Sequence, residues 1–235
     1  MDSLSALLAR LPVASPFAFA LNAKTCRKLD LSGANTALRG VNAGDTDGFA
    51  AWISEQIANG RADYAAGGYG EDRTLYEMSP RFREADGQTR TLHLAIDLWL
   101  HAESPVHTVL DGRVHSTADN AHFGDYGPTI VLEHRFEGLV FHTLYGHLSR
   151  KSLDQTRPGE VVRAGQLIGW LGDPAENMGW PPHLHLQVIR DMNGHHGDYP
   201  GVCLRSESET WLRRCPDPNL LLRIKALRPV EEREF

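Results

Sequence analysis

Cysteine is scarce and unpatterned in this chain. Cys26, Cys203 and Cys215 are odd in number and widely spaced. With no CxxC pair there is neither a thiolate zinc set nor a thioredoxin-type motif, and the simplest expectation is a reduced, cytoplasmic protein. Long apolar runs are missing as well, so no membrane span is expected. A basic excess is absent: Lys plus Arg is 24 against 30 for Asp plus Glu, a net charge of −6, which leaves no electrostatic footprint for nucleic acid. Repeats and low-complexity segments are absent too. The apolar stretch Leu4–Leu21 ends near Ala18-Phe19-Ala20, which mimics a cleavage site. However, the chain starts on acidic Met1-Asp2-Ser3, and Arg10 and Pro12 interrupt the stretch. A secretory leader is therefore not expected; a helix over Ser3–Arg10, capped by Ser3 and stopped before Pro12, is.

What remains is ordinary globular material with one surplus. The 235 residues, 41% hydrophobic and 23% charged, suit one or two domains. The surplus is histidine, at 12 residues. Residues 1–67 read as a mixed or irregular extension with a short helix over Phe49–Ala58. The run Ala65-Ala66-Gly67-Gly68-Tyr69-Gly70 reads as a break. Residues 68–192 read as a β domain. Within it, Leu92, Leu94, Ile96, Leu98 and Leu100 alternate with His93, Ala95, Asp97 and Trp99, the period of a half-buried strand. Asp111-Gly112 and Glu137-Gly138, each between strand-like runs, predict two hairpins. Val161–Arg163, Gln166–Leu171 and Leu184–Arg190 complete the strands. Residues 193–235 read as a loop-rich tail with a short helix near Trp211–Arg214. The expected fold is mainly β, an antiparallel sheet or sandwich core with a mixed α/β N-terminal extension.

The histidines concentrate in three short motifs: His93-Leu94-Ala95-Ile96-Asp97, Tyr145-Gly146-His147 and His183-Leu184-His185. Spacing alone is weak evidence. With 12 histidines and 16 aspartates, HxxxD arises about once by chance, and the chain holds three: His93/Asp97, His107/Asp111 and His115/Asp119. Strand context separates them. Residues i, i+2 and i+4 of a strand share a face. His93 and Asp97 then point together, opposite Leu92, Leu94, Ile96 and Leu98, and His183 and His185 point together, opposite Leu184, Leu186 and Val188. Asp111 and Asp119 fall in turn or loop and read as surface residues, as do His195 and His196. His134 is expected to stand apart from the site unless its strand borders it. Tyr126 and Tyr145 read equally as cleft donors or core.

HxxxD, then Gly146-His147-Leu148, then His-Leu-His at a strand start resembles the lysostaphin or LytM-type zinc endopeptidases, over roughly residues 88–190. Four further segments are similar in order: Pro105-Val106 into Asp111-Gly112-Arg113-Val114; Tyr126-Gly127 before Ile130–His134; Leu148-Ser149 after His147; and Gly159–Val162 with Gly165–Gly169. The resemblance implies a peptidoglycan endopeptidase-like metalloprotease with one zinc ion. It implies His93, Asp97 and His185 as ligands and His147 and His183 as unliganded catalytic histidines. The substrate it implies is a peptide or muropeptide-like molecule. The residue chemistry agrees, because three ligands leave a zinc ion one position for water, and free imidazoles can move its proton. Departures bear on substrate choice. Ala95 stands where glycine is usual, Gln187 where an acid is common, and Asn177–Pro182 is bulky, with Trp180 either lining the cleft or covering the core edge.

Other functions compete. A zinc amidase acting on a small or modified cytosolic amide suits a cytoplasmic chain. A non-hydrolytic peptide-binding or carrier module suits the strand-turn pattern, but a lysine carrier needs its lysine at a hairpin tip. Of Lys24, Lys28, Lys151 and Lys225, only Lys151 lies in the β region.

Overall fold

The computed structural model describes residues 2–42, 44–78 and 80–228. Met1 of the expected extension and residues 229–235 of the expected tail lie outside the described residues. The molecule is mainly β. Its strands are β1 (Cys26–Lys28), β2 (Tyr64–Gly67), β3 (Leu92–His93), β4 (Ile96–Trp99), β5 (Pro105–His107), β6 (Gly112–Asn120), β7 (Gly127–Phe136), β8 (Leu139–Gly146), β9 (Val161–Val162), β10 (Leu167–Trp170), β11 (His183–Ile189) and β12 (Val202–Cys203). Eight of them form one sheet in the order β1-β2-β4-β11-β8-β7-β6-β9. Every neighbouring pair in it is antiparallel except β1–β2. β5 pairs with β10, and β3 with β12.

The centre of the sheet, β4 and β11 above all, is buried on both faces. Side chains of period two from β4, β7, β8 and β11 (Ile96, Leu98, Ile130, Leu132, Phe141, Leu184, Leu186) meet Leu4, Leu7 and Leu8 of helix α1 (Ser3–Arg10) in the main core. Each buried leucine contributes about 1.5–3 kcal/mol. The opposite face carries two smaller clusters. One gathers Val131, Leu144 and Ile189 with Cys203 and Cys215. The other packs Trp99 against Phe49 and Ile53, which lie one helical turn apart on α2 (Thr46–Asn59). The site therefore lies between layers, and all of β11 is buried.

Several local expectations are corrected. Asp2, not Ser3, caps α1, because its carboxylate reaches the free amides of Leu4 and Ser5. The glycine-rich run at 65–70 is no break: Tyr64–Gly67 is strand β2, antiparallel to β4 with Gly67 opposite Asp97. The Glu137-Gly138 hairpin forms between β7 and β8, with both turn residues at positive φ. The Asp111-Gly112 hairpin does not, because β5 leaves to pair with β10. Asp111 instead accepts from the Ala164 amide, tying that turn to the β9–β10 connection.

Candidate metal centre

The run from Leu92 to Leu100 is not one strand. It breaks at Leu94 and Ala95 and changes partners, β3 bonding to β12 and β4 to β2 and β11. Leu92 and Leu94 consequently enter the small cluster beneath Tyr126, while Ile96 and Leu98 enter the main core, so the four do not share one apolar side as expected. The change of direction nevertheless returns His93 to Asp97. β11 lies beside β4 with His185 opposite Asp97, and beside β8 with His185 opposite Gly146. Three separately positioned strands thus deliver His93, Asp97 and the His183/His185 pair to one place. His147 follows directly after β8.

The geometry is tight. His93 Nε2, Asp97 Oδ1 and His185 Nδ1 lie 3.2, 3.3 and 3.5 Å from one another. A tetrahedral ion bound at about 2.0–2.1 Å sets its ligand atoms about 3.3–3.4 Å apart, so the three are spaced for one ion. Their hydrogen bonding points the same way. His93 donates Nδ1–H to the Gly68 carbonyl at 3.0 Å, which leaves Nε2 with its lone pair. Gln187 donates from Nε2 to the Pro200 carbonyl, so its Oε1 accepts from His185 Nε2 at 3.1 Å and leaves Nδ1 with its lone pair. Asp97 Oδ1 has no hydrogen-bond partner among the described residues. Three lone-pair donors therefore converge in a buried place, an arrangement that favours a bound cation. Gln187 does here the orienting work often done by an acid.

His147 and His183 flank the trio, their rings 4.1 Å apart. His183 donates Nδ1–H to the Pro181 carbonyl at 2.7 Å, and its Nε2 lies 3.8 Å from Asp97 Oδ1. His147 sits in the left-handed region (φ +61°), an uncommon conformation for a residue other than glycine. Two backbone bonds hold it there, its N–H to the Tyr126 carbonyl and the Gly172 N–H to its own carbonyl. Burial, above all, depresses the pKa of His93, His147 and His183. Burial opposes ionisation of Asp97, but His93, Arg73 and His183 outweigh it, and the carboxyl lies well below its ordinary range. Burial thus favours the neutral form of these three imidazoles, and the carboxylate is charged, at neutral pH.

A cavity of about 170 Å³ opens onto these five residues. Trp180 lines it and also meets Tyr76 edge to face, so it is both cleft wall and cover. Tyr126 lines it with its hydroxyl committed to the Tyr199 carbonyl; Tyr145 belongs to the core, its hydroxyl accepting from the Val109 amide. His195 is exposed at the rim. His115 stacks on His196 and meets His142 edge to face elsewhere, and none of the three lines the cavity. Lys151 opens a short helix and ion-pairs with Glu103, which is no carrier-type hairpin tip. Sequence reasoning missed one whole wall. Arg73, Tyr76, Arg81, Phe82 and Arg90 line the cavity from residues ahead of the β domain's first motif, and Arg81 pairs with Asp125. No periodic signal marks them.

His134 is a structural group: Nδ1–H donates to the Asp111 carbonyl and Nε2 accepts from Thr143 Oγ1. Burial lowers its pKa to about 4. An unfolded histidine takes up its proton near 6.5. The unfolded state thus binds more protons between those values, and the stabilisation, complete above about pH 6.5, is lost as pH falls toward 4, by about 3 kcal/mol. Urea unfolding of His134→Gln is expected to start from a lower stability at pH 7 and to fall less steeply on acidification than the wild type. Parallel slopes would contradict this assignment.

Three comparisons bear on this geometry. The model for Peptidase family M23 matches residues 91–198. Glycyl-glycine endopeptidase ALE-1 of Staphylococcus capitis is 30% identical over 95 residues, 40% of this chain and 24% of that protein. Lysostaphin of Staphylococcus simulans is 29% identical over 96 residues, 41% of this chain and 18% of that protein. The solved catalytic domain of lysostaphin from Staphylococcus simulans aligns with a TM-score of 0.43 and 21% identity, over 74% of this chain and 97% of that domain. The chain thus matches less than a quarter of the length of those two curated relatives.

Proposed function

We propose, from the match of residues 91–198 to Peptidase family M23, that the protein is a zinc-dependent metallopeptidase cleaving a peptide amide bond beside His93, Asp97 and His185. The observation that carries the reading is the convergence of three lone-pair donors at the spacing of one tetrahedral ion. A zinc ion held there would polarise a scissile carbonyl and make water nucleophilic near neutral pH.

The protein's own groups supply the remaining chemistry. His183 has its Nδ1–H fixed on Pro181, so its Nε2 is the acceptor that takes the proton of the attacking water. His147, with Nδ1 unpartnered among the described residues, stands one ring away to donate a hydrogen bond to the developing oxyanion, and the proton taken up by His183 passes to the departing amine. Trp180 and Tyr76 exclude water above them.

A muropeptide-like peptide is the substrate class this reading favours, since both curated relatives named above carry endopeptidase or lysostaphin names. The smaller-amide reading has one observation in its favour: all five site residues are at most 5% exposed, behind a cavity of about 170 Å³. One assay tests both. Chelator-stripped protein, reloaded with one equivalent of zinc, is incubated with glycine-bridged muropeptides and with short acyl amides, and new amines are read by mass spectrometry. The expected result is peptide cleavage that vanishes on stripping and returns with zinc. Cleavage of the acyl amides alone would select the second reading, and zinc-loaded protein cleaving neither would overturn both.

A further inference from the structure

Two of the three ion-facing side chains, His93 and Asp97, find partners in a segment that precedes the family match. Gly68 accepts from His93. Arg73 is 3% exposed. Its Nη1 donates to Asp97 Oδ2 at 2.6 Å and to the Tyr76 hydroxyl at 3.0 Å, and its Nε donates to Glu71 Oε2 at 2.7 Å. Glu71 is anchored in turn, its other oxygen accepting from the Leu31 amide at 3.1 Å. Backbone bonds from Arg73 N to Thr91 O and from His93 N to Glu71 O fix the segment against the site. Gly68 is at φ +106°, and a Cβ there would overlap the Arg73 guanidinium. The glycine is what gives the arginine its place.

A buried guanidinium is costly unless carboxylates pair with it. Here two do, and the pairing divides Asp97. Oδ2 belongs to Arg73; Oδ1 has no hydrogen-bond partner among the described residues and faces His93 Nε2 and His185 Nδ1. Resting on the metal reading above, we propose that Arg73 is a positioning residue of the metal centre: anchored by Glu71 and admitted by Gly68, it holds Asp97 as a one-oxygen ligand. A carboxylate free to rotate would offer both oxygens and take up a position that water or a substrate oxygen needs. Arg73 prevents that rotation. The segment at 68–76, outside the family match, thereby completes the centre.

Zinc affinity by chelator competition and the visible spectrum of the cobalt(II)-substituted protein test this in the full-length chain. R73Q is expected to bind zinc about 10–100-fold more weakly than wild type. Its cobalt bands should weaken as Asp97 supplies a second oxygen and the coordination number rises. R73K should recover only part of the affinity, since an ammonium lacks the planar fork that meets two carboxylates. Folded R73Q with unchanged zinc affinity and an unchanged cobalt spectrum would overturn the proposal. Should R73Q not fold, the crystal structure of the zinc-loaded wild type decides. An ion on Oδ1 with Arg73 on Oδ2 supports the proposal, and an ion held by both oxygens, or Arg73 withdrawn, overturns it. Wild-type protein that binds no zinc would defeat the metal reading itself. Zinc-binding wild type with an indifferent R73Q would defeat only the role of Arg73.

Discussion

His185→Ala protein is expected to purify folded, to carry almost no zinc, and to cleave its substrate at least about a thousandfold more slowly than wild type. The fold should survive because β11 keeps Leu184, Leu186 and Val188 in the main core and keeps its pairing with β4 and β8. What disappears is one of three lone-pair donors, and with two left a zinc site loses most of its affinity. Asp97→Ala makes a useful contrast. It removes a ligand too, but it also leaves the buried Arg73 with Glu71 as its one remaining ion-pair partner among those described. Removing one member of a buried ionic group costs up to about 3–5 kcal/mol, so Asp97→Ala should melt well below His185→Ala. Zinc per chain by mass spectrometry and melting by circular dichroism measure both. Full zinc occupancy in His185→Ala would remove that residue from the ligand set.

The second large effect separates binding from chemistry. His183→Ala and His147→Asn are expected to keep zinc at one ion per chain and to lose about 10²–10⁴-fold in kcat, the usual worth of a positioned proton-transfer group. Asparagine is the better replacement at 147 because it tolerates the left-handed backbone that His147 occupies. The double variant should be little worse than the worse single one, since the two imidazoles lie against each other and act on one reaction. Burial depresses the pKa of both. Wild-type kcat/KM should accordingly stay level through the ordinary histidine range and fall only at more acid pH. Stopped-assay kinetics with zinc content measured on the same samples check this. Loss of zinc in either variant would turn that histidine into a ligand and undo the division of roles.

Much of this was legible in the residues. The β core, the Glu137-Gly138 hairpin and the shared side of His183 and His185 follow from period two and turn chemistry; His93 and Asp97 meet although the strand expected to align them breaks between them. The burial of the site was not legible. Alternation marks His93, Asp97, His183 and His185 as a polar side of the sheet, and a polar side reads as solvated. In the fold that side is covered by a second layer built from Phe49, Tyr76, Trp180 and Tyr199, residues distant in sequence. The break at Leu94-Ala95 was hidden for a similar reason, because the alternation runs straight through a change of strand partner. Arg73 was invisible because Asp72-Arg73-Thr74 is an unexceptional polar run. A single contact across 24 residues leaves no periodic trace.

The most direct test is an anomalous-difference map recorded at the zinc edge on crystals of the zinc-loaded, full-length chain. The account predicts one strong peak at about 2.0–2.2 Å from His93 Nε2, Asp97 Oδ1 and His185 Nδ1 together, with His147 and His183 close by and unbonded. A peak centred on any other residues, or none between those three after loading, would contradict it.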